Sequence, residues 1–134
     1  MKCAGQDDND LAKAIRHCRE RGWRGIVVLG ATGGREDHAI GNVFRALAEG
    51  IPVVTDRGEF HPVCGAARFA ARKGAAVSVF APDPCTKMTS RGLAWPLDGV
   101  AFSNLYVATL NRVAGRGFSV RSDRPVMVFV EGGT

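Results

Sequence analysis

Apolar positions change their spacing near the middle of this chain, and the change predicts two kinds of architecture in succession. Leu11, Ala14, Ile15 and Cys18 recur at helical spacing, with Asn9 or Asp10 placed to cap the start and Gly22 to end the helix. The run Gly25, Ile26, Val27, Val28, Leu29 then reads as a buried strand. A glycine-rich turn follows, and Ile40, Val43, Phe44 and Leu47 define one face of a second helix that ends at Gly50. Ile51, Pro52, Val53, Val54 and Thr55 give another short strand. Helix, strand, turn, helix and strand in that order make a partial, Rossmann-like α/β unit with a parallel sheet.

From about residue 58 onward the helical period disappears. Short β-type runs recur between turn residues at 76–80, 100–102, 106–110, 117–120 and 126–130. Strands at such spacing predict an antiparallel β-sandwich or barrel. Residues 66–73 fit either a helical turn or a distorted strand. The expected organisation is therefore an α/β domain over residues 1–57 followed by an all-β sandwich domain over 58–134. The chain reaches a helix start with no strand before it, so the α/β half is expected to be truncated at its beginning.

Composition changes this picture little. The 134 residues are 46% hydrophobic and 23% charged, an ordinary globular balance. No apolar run approaches the roughly 18 residues of a membrane span, and the first residues lack the apolar stretch of a signal peptide, so a cytoplasmic protein is expected with no membrane partner. The four cysteines are widely separated, which predicts free thiols rather than a zinc site. The net charge of +5 raises the question of nucleic acid, yet the arginines are scattered and no basic run interleaves with aromatics. A small polyanion such as a nucleotide accounts for the same charge.

Three stretches carry candidate chemistry. In Gly30-Ala31-Thr32-Gly33-Gly34-Arg35-Glu36-Asp37-His38, glycines allow a sharp turn and close approach of backbone amides to a ligand. The helix N-terminus behind them favours phosphate, and Arg35 offers a planar clamp. Asp37 and His38 have the side chains needed for metal binding or proton transfer. Gln6-Asp7-Asp8-Asn9-Asp10 is an acidic helix start, explained equally by capping and by a Mg²⁺-nucleotide facing the carboxylates. Thr89-Ser90-Arg91-Gly92-Leu93-Ala94-Trp95-Pro96-Leu97 holds a tryptophan that is either core or an aromatic platform for a cationic heterocycle.

Taken together and in order, these stretches resemble the thiamine pyrophosphokinase family. Gln6-Asp7-Asp8-Asn9-Asp10-Leu11 is similar to its Gln-Asp-x-Thr-Asp-Leu/Phe segment, with Asn9 where Thr is usual. Residues 30–38 followed by Asn42 resemble Gly-x-x-Gly-Gly-Arg-x-Asp-His/Gln…Asn. Residues 89–97 resemble Ser/Thr-x-x-Gly-Leu-x-Trp-x-Leu, and Thr109-Leu110-Asn111 a Ser-x-Asn element.

The resemblance implies an ATP:thiamine diphosphotransferase that yields thiamine diphosphate and AMP, working as a homodimer with active sites at the subunit interface. It implies that Gln6, Asp7, Gly33, Gly34 and Arg35 face ATP and that Asp7 and Asp10 serve Mg²⁺. Thr89, Trp95 and Asn111 would contact thiamine. Asp10, Asp37 and Arg35 would be the catalytic set, with Asp10 or Asp37 as any base for the thiamine hydroxyl. It also implies an upstream segment with an Asp-Gly-Gly turn and a Gly-Asp-x-Asp-Ser motif. Neither occurs in this sequence, so an N-terminally truncated kinase of reduced solo stability is expected. The alternative is a non-catalytic thiamine- or nucleotide-binding remnant.

Overall fold

A computed structural model describes residues 10–30 and 34–132. Its elements run α1 (Asp10–Glu20), β1 (Val28–Leu29), α2 (Glu36–Glu49), β2 (Val53–Val54), β3 (Gly58–Ala70), β4 (Ala76–Phe80), β5 (Met88–Arg91), β6 (Ala108–Arg112) and β7 (Gly117–Glu131). The fold is α/β followed by an antiparallel β-sandwich, as the change of period predicts. One sheet passes through both parts, in the order β1-β2-β3-β7-β4-β6, with β5 added to β7.

Each helix has a clear physical origin. On α1 the buried positions are Ala12 and Ile15, so its inner face is rotated toward Ala12 and leaves Ala14 exposed. Arg19 ties α1 to α2 through Glu49 at 3.1 Å. On α2, Val43, Ala46 and Leu47 are buried, whereas Ile40 points to solvent. Gly50 closes α2 in the left-handed region at φ 70°, and its N–H returns to the last turn's carbonyls.

β1 and β2 pair in parallel, Val28 with Val53 and Leu29 with Val54. β1 is shorter than the run 25–29 suggests and lies at the sheet edge, with Val27 and Leu29 exposed. β2 then pairs antiparallel with β3 across a tight turn. Thr55 shapes that turn: its Oγ1 accepts the N–H groups of Arg57 and Gly58 and donates to the Gly58 carbonyl. The expected boundary at 56–58 thus coincides with a turn inside a continuous sheet.

β7 organises the rest. It pairs with β3 along nearly its whole length. Its other edge carries β5 against residues 119–122 and β4 against residues 127–130. Between these two partners the β3–β7 register shifts at Cys64, and β7 bends through Asp123, Arg124 and Pro125. The bend is held from outside: Asp123 accepts the Lys87 N–H at 2.8 Å, and Asp83 takes the Arg124 guanidinium at 2.8 Å. A bridge between Leu93 and Val113 joins the ends of β5 and β6 and closes the sandwich. Inside lie Val63, Val77, Val79, Met88, Leu93, Leu97, Phe102, Phe118, Val120, Val126 and Val128.

Several sequence expectations are corrected. The runs at 117–120 and 126–130 are one bent strand, β7, and 106–110 shifts to Ala108–Arg112. Residues 100–102 form no strand, although Phe102 is a core residue. Residues 66–70 are the end of β3, and β5 is a strand that its polar sequence conceals. Cys18, Cys64 and Cys85 are free thiols, and Cys3 lies outside the described residues.

Successive residues of β7 serve two cores. Val126 and Val128 face the sandwich interior, while Met127 faces α2 and packs with Val43, Ala46, Leu47 and Val53. Met127→Ala is expected to cost about 2–5 kcal/mol in denaturant unfolding, the range for emptying a filled methionine site. Hydrogen exchange should show the loss concentrated in α2 and β2 rather than in β5 and β6. Uniform loss across the sandwich would contradict this division.

Candidate active site

The strand–turn–helix expected to cradle phosphate is partly described. β1 ends at Leu29, Gly30 turns at φ 71°, and α2 begins at Glu36. Ala31, Thr32 and Gly33 lie outside the described residues, as do Gln6 and Asp7. Gly34, Arg35, Asp37 and Asp10 are described, and all four are exposed.

Arg35 occupies the N-cap of α2 with extended backbone and makes no side-chain cap of its own. Asp37 supplies that function, its Oδ1 accepting the His38 N–H at 2.8 Å. The same carboxylate grips Arg35 in a two-point contact, Nε to Oδ1 at 3.1 Å and Nη2 to Oδ2 at 2.8 Å. The Arg35 guanidinium, and then the His38 N–H, hold the Asp37 carboxyl below its ordinary value. Arg35 is correspondingly held above its own. A carboxylate stabilised in its charged form is a poor proton acceptor at neutral pH. Asp37 therefore suits orientation of Arg35 better than general base work.

Asp10 opens α1, and among the described residues nothing joins it to Arg35 or Asp37 by hydrogen bond or ion pair. Its carboxylate is the right donor chemistry for Mg²⁺. Yet among the described residues no three His, Cys, Asp or Glu side chains converge to hold a metal.

On the sandwich, Trp95 and Asn111 are brought together. Asn111 is 5% exposed, and its amide clamps the backbone of Trp95: Oδ1 accepts the Trp95 N–H at 3.1 Å and Nδ2 donates to the Trp95 carbonyl at 2.7 Å. Its Oδ1 also accepts the Arg112 N–H at 2.8 Å. Leu93 and Leu97 on either side of Trp95 are buried, and the non-strand segment between them carries the indole outward, where it is 62% exposed. Trp95 is thus a platform on a pinned loop and not core.

Sequence reasoning missed what pins this loop. Ser90 receives the Leu97 N–H on Oγ at 2.8 Å and gives its own N–H to Asp98 at 3.1 Å. Gly92 turns at φ 86°, where a Cβ would meet the Gly117 carbonyl oxygen at 2.6 Å. Leu110, beside Asn111, is the one non-glycine residue with positive φ among the described residues, at 62°, and its N–H is held by Ser78 Oγ at 3.0 Å. A leucine in that conformation is strained, and the surrounding bonds fix it there. No sequence signal marks it. Thr89 lies elsewhere, on the outer face of β5 in a groove of about 550 Å³ with Arg68, Arg91 and Arg121.

Comparison with known proteins gives a consistent result. Residues 1–55 match the family model described as thiamin pyrophosphokinase, catalytic domain, and residues 58–129 match thiamin pyrophosphokinase, substrate-binding domain. Curated protein sequences give no match. A thiamine pyrophosphokinase structure from Bacillus subtilis aligns with TM-score 0.69 at 15% identity over 96% of this chain and 65% of its own. A thiamin pyrophosphokinase family protein from Enterococcus faecalis gives 0.74 at 16% identity over 98% and 66%. A protein from Lactobacillus plantarum gives 0.75 at 22% identity over 97% and 69%. At these identities the likeness is one of fold. The chain spans 65% of the Bacillus structure and 44% of a Candida albicans thiamin pyrophosphokinase.

The Arg35–Asp37 pair gives a pH prediction. Because the Asp37 pKa is lowered, the pair and its helix cap persist at neutral pH and are lost only as pH falls through that lowered value. The Arg35 Nε–H resonance should hold steady from neutral pH down to the ordinary carboxylate range, then shift below it. Asp37→Asn should remove the transition. An Nε–H resonance that does not respond to acid, or a shift that survives Asp37→Asn, would show that the pair does not form.

Proposed function

The chain belongs to the thiamin pyrophosphokinase family, and from that premise we propose that it binds ATP and thiamine and transfers a diphosphoryl group between them. The products are thiamine diphosphate and AMP. The match of both family models, in order along one chain, is the observation that carries this reading. The functional division falls near 57/58, with residues 1–57 serving the nucleotide and 58–134 serving thiamine.

In this reading Gln6, Asp7, Gly33, Gly34 and Arg35 hold ATP. The amides at the start of α2 and the Arg35 guanidinium meet phosphate oxygens, and Asp37 aims Arg35 until the anion displaces it. Trp95 presents its π face to the thiazolium or aminopyrimidine, a favourable surface for a cation. Asn111 acts by fixing Trp95, whereas Thr89, set among Arg68, Arg91 and Arg121, takes no part in holding the cation. Asp10 is the better candidate for the proton of the thiamine hydroxyl, since Asp37 is engaged and weakly basic. Mg²⁺, where bound near Asp7 and Asp10, would neutralise charge on the phosphates. Positioning and charge neutralisation are what phosphoryl-type transfer requires of a protein, and no protein nucleophile is needed.

Among the described residues no helix is long and apolar enough to cross a membrane. The reaction as proposed belongs in the cytoplasm, where its nucleotide is abundant. A homodimer with sites at the subunit interface is also proposed. Trp95, Leu105, Tyr106, Val107 and Leu110 support it as large apolar side chains left exposed.

The decisive assay is AMP formation from ATP with and without thiamine. Thiamine-dependent AMP, matched by thiamine diphosphate, is expected. Trp95→Ala should raise KM for thiamine by about ten-fold, the loss of one aromatic–cation contact of roughly 1–2 kcal/mol. Arg35→Gln should lower kcat/KM for ATP by roughly 10²-fold or more. In a Trp23→Phe background, thiamine should quench Trp95 fluorescence. Binding without turnover would overturn the transferase reading in favour of a binding role, and neither would overturn both. Sedimentation should give a dimer that Tyr106→Asp dissociates.

A further inference from the structure

The outer face of β3, β7 and β5 carries a feature that the proposed reaction does not use. The register sets Arg68, Ser119 and Arg91 side by side across the three strands. The neighbouring row on the same face is Ala66, Arg121 and Thr89. Ala67 and Val120, at the intervening positions, turn inward to the sandwich core. Small residues therefore make the floor of a groove and three arginines its walls. Two inter-strand spacings separate Arg68 from Arg91, roughly 10 Å, and Arg121 stands about 7 Å along the strands from that row. Side chains as long as arginine's converge easily over such distances.

The charge in this groove is not balanced. Arg19, Arg35, Arg72 and Arg124 each meet a carboxylate within 3.1 Å. Arg68, Arg91 and Arg121 meet none among the described residues. The groove's single acid, Asp98, has one oxygen committed to the Ser90 N–H. Three like charges gathered on one sheet face repel one another unless an anion joins them. The groove holds about 550 Å³, within the size of small-molecule sites. The Thr89 and Ser119 hydroxyls lie in the same groove and add neutral hydrogen-bonding groups.

We propose that this groove is a binding site for a di- or triphosphate chain, carried by a small heterocyclic ester or free as pyrophosphate. Guanidinium forks match phosphate oxygens in pairs, and three of them distinguish a chain of phosphates from a single one. The arginines equally disfavour a cation, so thiamine itself is excluded and Thr89 serves an anion here. The inference stands on the arginine rows and is independent of the transferase reading. Two phosphate sources share the chemistry: a phosphorylated product of the thiamine type, and a nucleotide.

The test is amide chemical-shift mapping on the full chain titrated with pyrophosphate, thiamine diphosphate, ADP and thiamine. Pyrophosphate should perturb the amides of Arg68, Thr89, Arg91, Ser119 and Arg121, while thiamine leaves them unmoved. Arg68→Gln, Arg91→Gln and Arg121→Gln, all at exposed positions, should each weaken pyrophosphate binding about ten-fold, the scale of one charged hydrogen-bonded contact. A stronger effect of thiamine diphosphate than of ADP names the product as the source, and the reverse names the nucleotide. Perturbation confined to residues 30–38, or affinity unchanged in the three variants, overturns the proposal. Tighter binding of a single-stranded oligonucleotide than of pyrophosphate overturns it in favour of a nucleic-acid surface. Burial of the face against a second copy, seen as protected amides and no anion effect, also overturns it. Thiamine-dependent AMP formation, measured on the same proteins, reports separately on the transferase reading.

Discussion

Residues 126–128 of β7 are buried from both sides, and this constraint governs the molecule. A strand with one wet face needs alternating polar residues, but Val126, Met127 and Val128 are all fully buried. Val126 and Val128 fill the sandwich, and Met127 fills the space under α2. Neither core exists without the strand that divides them. β3 and β4 lie on either edge of the same segment, so its backbone groups are paired within the sheet. The sandwich core and α2 thus rest on opposite faces of the same stretch of strand.

The bend at residues 123–125 follows from this. A straight β7 would carry β5 and β4 on one flat edge, and no enclosed core would form. Pro125 has no N–H to give a ladder, and from the 81–87 loop Lys87 secures Asp123 while Asp83 secures Arg124. Asp83 holds its charge there, its carboxyl lowered by the Cys85 N–H first and by Arg124 after it. Once bent, β7 sends its first half to one layer and its second half to the other. The Leu93–Val113 bridge completes the enclosure.

What the sequence discloses and what it hides follow from this geometry. The helices are legible because a 3.6-residue period survives in α1 and α2, although Ile40 and Ala14 break it at exposed positions. β4 is legible because it is apolar on both faces. β5 hides because Thr89 and Arg91 lie on an outer face and Ser90 is committed to hydrogen bonds, leaving Met88 as its apolar signal. β7 reads as two strands because its bend interrupts the apolar run with Ser122, Asp123 and Arg124. The motifs around Gly30, Asp10 and Trp95 stand out locally, since each rests on neighbours in the chain. The Asn111 clamp, the strained Leu110 and the arginine rows do not. They join residues far apart in the chain and exist only once β6 lies beside β4 and the Trp95 loop, and once the register of β3, β5 and β7 is set.

Charge and surface chemistry are segregated on this frame in a way that bears on the proposed reaction. Thiamine is a cation and its co-substrate a polyanion, so one unspecialised cleft would serve both badly. An indole attracts a cation without a formal charge, and Trp95 stands on a loop whose nearest fixed partner is the neutral amide of Asn111. Positive charge is kept at Arg35 and on the β3–β7–β5 face. At Arg35 a carboxylate already holds the guanidinium, so an incoming phosphate exchanges one anion for another and never faces a naked cation. On the outer face no carboxylate among the described residues holds the three arginines in this way. That difference makes the two basic surfaces distinct: in the proposed reaction Arg35 would exchange one anion for another, and the proposed groove gains most from an anion that stays.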